Sequence, residues 1–232
     1  MQKKYNYNKT FFENIDTQEK AYVLGLIYAD GWIQKRKGSY RMCLSLQAQD
    51  KDLVFAVAKL LSTDKQPYYW SYKDQYDIEI SCKQMVEDLE KWGVAQAKTF
   101  NITFPNFLEK NLIPHFIRGY FDGDGCVWEG KRKYMHFPSR NKTIHNVKFH
   151  ITSNLQFLEG LRETLCNVLG LSKAKIEVSK KSPQIGSLPW SGRNNLRKFY
   201  NYIYKDATIY MGRKKEKFEK ILCFQQEIAE RN

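Results

Sequence analysis

The sequence predicts an α+β protein made of two pseudo-symmetric αββαββα repeats. Three observations carry this expectation. One phrase occurs twice in constant register. After each copy, apolar residues pass from strand periodicity to helix periodicity in the same order. Each copy is also followed by a basic, acid-free segment. The phrase reads VLGLIYADG from Val23 to Gly31 and IRGYFDGDG from Ile117 to Gly125, with Gly25 to Gly119 and Asp30 to Asp124 both 94 residues apart (119 − 25 and 124 − 30).

Taken in order, Asp16-Thr17-Gln18-Glu19 has the form of a capping box with Asp16 at the N-cap, so the first helix starts there. It ends at Gly31, where a left-handed C-terminal residue is expected, and the second copy ends likewise at Gly125. A hairpin through Lys37-Gly38-Ser39 leads to YRMCLSLQ, in which Met42, Leu44 and Leu46 alternate with Arg41, Cys43, Ser45 and Gln47. DKDLVFAVAKLLS is a one-sided helix, PYYWSYKDQYDIEIS a second strand pair and SCKQMVEDLEKWG a third helix. Residues 93–109 have neither period and form a linker, which divides the chain into repeats 1–109 and 110–232. The second repeat follows the same plan. VKFHITS comes after a longer PSRNKTIHN loop, NLQFLEGLRETLCNVLG stops at Gly170, and KAKIEVSKKSPQIGSLPWS and SGRNNLRKFYNYIYK follow. GRKKEKFEKILCFQQEIAE adds a last helix, basic at its start.

Composition limits the partners. With 232 residues, 42% hydrophobic and 15% aromatic, the chain can bury a core, and its net charge of +13 calls for a polyanion, nucleic acid first. No apolar run approaches the ~20 residues that span a bilayer, and MQKKYNYNKT lacks an apolar signal core, so the expected location is cytoplasmic, or the matrix of an organelle that encodes it. Five scattered cysteines and four histidines form neither a disulfide framework nor a zinc pattern.

Asp30 and Asp124 stand at helix C-termini, where the helix dipole disfavours a carboxylate by about 0.3–1 kcal/mol, so something cationic is expected beside them. Gly25 and Ala29, like Gly119 and Gly123, are four apart and would let two helix backbones approach closely. Two carboxylates and several helix-end carbonyls would then converge as an all-oxygen site suited to Mg²⁺, which would supply the missing positive charge.

VLGLIYADG and IRGYFDGDG resemble the two signature motifs of the LAGLIDADG homing endonucleases in their single-chain, two-repeat form. The resemblance covers nearly the whole chain. It implies motif helices at the repeat interface and two four-stranded antiparallel sheets forming a saddle on double-stranded DNA, asymmetric or pseudo-palindromic in sequence. It also implies a monomeric, metal-dependent endonuclease that makes a double-strand break and promotes mobility of its host intron. The cofactor is Mg²⁺, with Mn²⁺ able to substitute. By position, Asp30 and Asp124 bind metal with the carbonyls of Ala29 and Gly123. Gln49 and Ser153, at the ends of the second strands, and Lys83 and Arg193, before the third helices, match the family's less regular active-site residues. Lys83 and Arg193 either stabilise charge at the reacting phosphate or contact phosphates elsewhere. Tyr28 departs from the motif where Asp122 retains an acid.

Base readout falls to Arg41, Gln47, Gln49, Lys148, His150 and Thr152. Phosphate positioning falls to Lys35, Arg36, Lys37, Lys131, Arg132, Lys133, Arg140, Lys142, Lys180 and Lys181. Tyr72, Lys73, Gln184 and Trp190 complete the DNA-facing set, and strand alternation allows only half of Tyr68, Tyr69, Trp70 and Tyr72 to face DNA. Two other functions suit the same fold: a maturase that binds intron RNA, alone or beside cleavage, and a non-catalytic DNA-binding regulator. The intact Asp30 and Asp124 favour cleavage, and a chain opening on Met1 without splice-junction chemistry argues against an intein.

Overall fold

A computed structural model describes residues 5–96, 101–133 and 143–230, the side chains of 131–133, 143–145 and 224–230 excepted. Helix α1 (Gln18–Asp30) runs directly into strand β1 (Gly31–Arg36), followed by β2 (Ser39–Gln47), a 3-10 turn (Ala48–Asp50) and α2 (Lys51–Leu60). Strands β3 (Tyr68–Trp70) and β4 (Gln75–Ile80) and helix α3 (Lys83–Lys91) complete the first repeat. The second repeats this order: α4 (Ile113–Asp124), β5 (Gly125–Lys133), β6 (Thr143–Asn154), α5 (Leu155–Leu169), β7 (Glu177–Val178), β8 (Ile185–Ser191) and α6 (Arg193–Tyr204). Helix α7 (Gly212–Glu230) follows. Both sheets are antiparallel and four-stranded, with orders β1-β2-β4-β3 and β5-β6-β8-β7.

The motif helices meet through their glycines. A Cβ on Gly25 would lie 2.1 Å from the Phe116 carbonyl oxygen, and one on Gly119 would lie 2.0 Å from that of Tyr22. These contacts obey the 94-residue offset, so the helices cross about a local two-fold axis. Helix α1 is buried continuously from Ala21 to Tyr28 and has no solvent face along that stretch. It packs against α4, β1 and β2.

Two local expectations need correction. The N-cap of α1 is Thr17, whose side chain accepts from the Lys20 backbone N–H, while Asp16 pairs with the Lys20 ammonium at 2.8 Å. Gly31 (φ −85°, ψ 169°) and Gly125 (φ −94°, ψ 159°) are extended rather than left-handed, because each helix continues straight into a strand. Glycine is needed there for room: a Cβ on Gly31 would come within 2.8 Å of Ile27 Cα, and one on Gly125 within 2.1 Å of the Phe121 ring. Gly170, by contrast, does end α5 in the left-handed conformation (φ 59°). The PSRNKTIHN loop lies mostly outside the described residues.

Candidate active site

Because the two helices touch to their last turns, their terminal carboxylates share one place. A Cβ on Gly123 would lie 2.2 Å from Ala29 Cβ and 2.7 Å from Asp30 Oδ2. Asp30 is half-buried and Asp124 exposed. The cation that the dipole argument requires is already in the chain. Lys214, in the first turn of α7, donates from Nζ to the carbonyls of Phe121 (2.8 Å), Gly123 (2.8 Å) and Gly125 (2.7 Å). Burial pulls its pKa down to about 8, against the opposing pull of Asp122, Asp30 and Asp124. Something cationic was expected beside these termini and Lys214 is such a group at the end of α4, where the Gly123 carbonyl, expected as a metal ligand, accepts from its ammonium.

A hard cation still fits this donor set. Two carboxylates beside one ammonium leave the place net negative, and the Ala29 carbonyl adds a further hard oxygen. Among the described residues no three His, Cys, Asp or Glu side chains converge as a metal cage. A cavity of about 160 Å³ opens beside Asp124, lined by Tyr28, Ala29, Ile102, Tyr120, Thr152, Ser153 and Ile185. Inside it the Tyr120 hydroxyl donates to Ser153 Oγ at 2.8 Å.

Lys83 and Arg193 are not brought to the carboxylates. Lys83 lies over the Tyr40 ring (5.8 Å) and 3.7 Å from Glu87, while Arg193 follows Gly192, whose N–H donates to Val147. Tyr40 pairs with Lys35 and Val147 with Glu129, each four residues along its strand from Gly31 or Gly125, or roughly 13 Å. The strand before each of these helices climbs away from the motif end, and only the chain after the helix returns. Lys214 stands on such a return, which is where the basic residue is found. Gln49 also moves: it is exposed in the 3-10 turn, lining a cleft with Asp50 and Arg213.

The two motif positions that differ, Tyr28 and Asp122, are structural anchors. The Tyr28 hydroxyl donates to the Trp92 carbonyl at the end of α3, and Asp122 accepts from Tyr204 at the end of α6. Both tie a motif helix to the last helix of its own repeat.

Comparison with known proteins agrees with this geometry. Residues 112–204 match the family model of the LAGLIDADG-like domain. This part of the chain is similar to a LAGLIDADG-like domain. The fold of the whole chain resembles the I-LtrWI LAGLIDADG homing endonuclease bound to target DNA, with a TM-score of 0.66 and 15% identity, covering 95% of this chain and 92% of that one. It also resembles the I-SmaMI LAGLIDADG homing endonuclease bound to cleaved DNA (TM-score 0.64, 14% identity, 90% of each chain). A curated relative, the probable translation initiation factor IF-2 of Methanocaldococcus jannaschii, is 24% identical over 214 residues, 85% of this chain. The chain spans 16% of that protein's length.

In the second repeat the outward sheet face carries Lys148, His150 and Thr152 as alternation predicts, with Lys148 over the Trp128 ring at 5.5 Å. Trp190 does not belong to it. It is buried, donates Nε1–H to the Ser172 carbonyl and stacks on Phe149. Lys180, Lys181 and Gln184 are exposed. The side chains of Lys131, Arg132 and Lys133 on β5, and Arg140 and Lys142 altogether, lie outside the described residues.

In the first repeat Arg36, Lys37, Arg41, Gln47, Tyr72 and Lys73 are exposed, whereas Lys35 turns to the helix side and pairs with Glu90 of α3 at 2.8 Å. Alternation required this, since Lys35 shares a face with buried Ile33. By the same rule Trp32, 40% exposed, joins the outward face and was legible but overlooked. Tyr69 faces away from Tyr68 and Trp70 and packs on Tyr76.

Proposed function

We propose that the chain is a site-specific DNA endonuclease that makes a double-strand break by metal-dependent phosphodiester hydrolysis and promotes mobility of a host intron. The observation that carries this reading is the meeting of Asp30 and Asp124 at adjacent helix ends, each helix leading directly into a sheet with a polar, partly basic outer face. When bound there, Mg²⁺ or Mn²⁺ would activate water and stabilise charge on the phosphoryl oxygens. Asp30, Asp124 and the Ala29 carbonyl hold it, and Lys214 keeps the end of α4 in place against the dipole. Residues 1–109 and 110–232 each supply one carboxylate, hence one centre per strand of a duplex. The outer faces read bases through Arg41, Gln47, Lys148, His150 and Thr152, while Arg36, Lys37, Lys180 and Lys181 hold phosphates.

The test is cleavage of a randomised duplex library with Mg²⁺, followed by Asp30→Asn and Asp124→Asn on the selected site. Each variant should lose double-strand cleavage and keep specific binding. Full cleavage by either removes the metal assignment.

A further inference from the structure

We infer that the two centres are chemically unequal, and that a hydroxyl pair, Tyr120 and Ser153, positions the carboxylate of Asp124 in one of them. The inference rests on the nuclease reading above and specifies how its two centres differ. The internal repeat supplies the comparison. Through the 94-residue offset Tyr120 stands where α1 has Leu26. Along the strands Gly31 pairs with Leu44 and Gly125 with Ile151, so Ser153 stands where β2 has Leu46. Both pairs are buried, at 2% and 6% exposure for Tyr120 and Ser153 against 0% and 4% for Leu26 and Leu46. One repeat thus has two leucines where the other has a larger and a smaller residue, both bearing hydroxyls.

Packing gives no reason for the exchange. Apolar side chains fill the same place in the first repeat, and burying hydroxyls costs free energy unless they are hydrogen-bonded. In the second repeat they are: Tyr120 donates to Ser153 Oγ at 2.8 Å, with the Thr152 carbonyl at 3.3 Å. Stacking on Phe157 at 4.3 Å fixes the Tyr120 ring. The Tyr120 hydroxyl is also hydrogen-bonded to the Asp124 carboxylate, and both Tyr120 and Ser153 line the cavity that contains Asp124. Burial and then the charge of Asp124 raise the Tyr120 phenol pKa, with Asp30 the smallest contributor. The pair therefore holds the Asp124 carboxylate in a set orientation, and the equivalent positions of the first repeat, Leu26 and Leu46, carry no hydroxyl.

Three variants test this: Tyr120→Phe, which removes one oxygen; Ser153→Ala, which removes the other; and Ser153→Thr, which keeps it. With each strand end-labelled, Tyr120→Phe and Ser153→Ala should slow cutting of the same single strand about tenfold, the scale of lost second-sphere contacts to metal ligands. Nicked duplex should accumulate, and Ser153→Thr should restore the rate. In parallel, calorimetric titration of the DNA-free protein with Mn²⁺ should show weaker binding in the first two variants and recovery in the third. Equal slowing of both strands, or no change in either strand or in Mn²⁺ affinity, overturns the inference. If the unaltered chain cuts no duplex, the nuclease reading fails while the Mn²⁺ series still decides the role of the pair. Should Tyr120→Phe not fold, the contrast between Ser153→Ala and Ser153→Thr decides it alone.

Discussion

Asp122 has no contact with solvent, and its carboxylate accepts from Tyr22 Oη (2.8 Å), Tyr204 Oη (2.9 Å) and the Met211 backbone N–H (2.7 Å). Burial lifts its pKa to about 6, and these three donors limit the rise. Two turns earlier, His115 is held down to about 4 by burial and by the adjacent Arg118 guanidinium. The two act in opposite senses. Asp122, raised on folding, contributes stability that is present below about pH 4 and lost as pH rises through 6. His115, lowered on folding, costs stability at low pH and ceases to do so as pH rises from 4 to 6.5. Across this window the two groups therefore oppose each other in the pH dependence of the melting temperature. Asp122→Asn should melt higher as pH rises from 4 to 6, and His115→Gln should melt lower, as calorimetric scans at several pH values would show. The carboxylates themselves were legible because they end a repeated phrase. Lys214 was not, since a lysine in a basic helix start is unremarkable until the return of the chain after α6 sets it against three carbonyls. Ser153 was reached through the family resemblance, whereas Tyr120 emerged only by laying one repeat over the other.

At the level of elements, the motif helices are fixed by backbone contact. Gly119→Leu would force side-chain carbons into the Tyr22 carbonyl, and it should cost about 1–3 kcal/mol in urea unfolding, with a further loss of cleavage as the carboxylates separate. Gly31→Ala should also destabilise although its φ suits any residue, because the Ile27 backbone fills the space. Gly38→Ala tests the opposite case: space is open but φ is +76°, so the cost should be only about 1 kcal/mol. Strand faces were readable from alternation, and the placements of Lys35 and Trp190 failed only where basic or aromatic character was allowed to override it. The end of each motif helix was misjudged for a physical reason. An Asp-Gly after an apolar run does not disclose whether glycine is there for its torsion angles or for its missing Cβ.

Across the whole molecule the two repeats are tied by more than their helices. Arg213 makes a bidentate pair with Asp50 (2.7–3.0 Å), and Thr208 reaches Gln18 and Glu19 at the start of α1. Arg213→Ala should cost about 1–3 kcal/mol, less than a fully buried pair because Arg213 is 44% exposed, and Asp50→Asn in the same chain should recover part of it. With a net charge of +13, DNA affinity should fall linearly on a logarithmic salt axis, and each lost phosphate contact, Lys180→Ala for example, should lower the slope by about 1. The order of the two repeats was visible in the sequence, whereas these ties were not, because they join segments more than 160 residues apart. The continuous burial of α1 has a consequence during synthesis. Part of its covering is α4, 94 residues downstream, and at about 5–20 residues per second the ribosome needs about 5–20 s to make that distance. For that interval an apolar helix with no solvent face has emerged without its partner, so production of this chain should depend on how well the cell shields it, and slowing translation between the two copies of the phrase should lower the yield of folded protein.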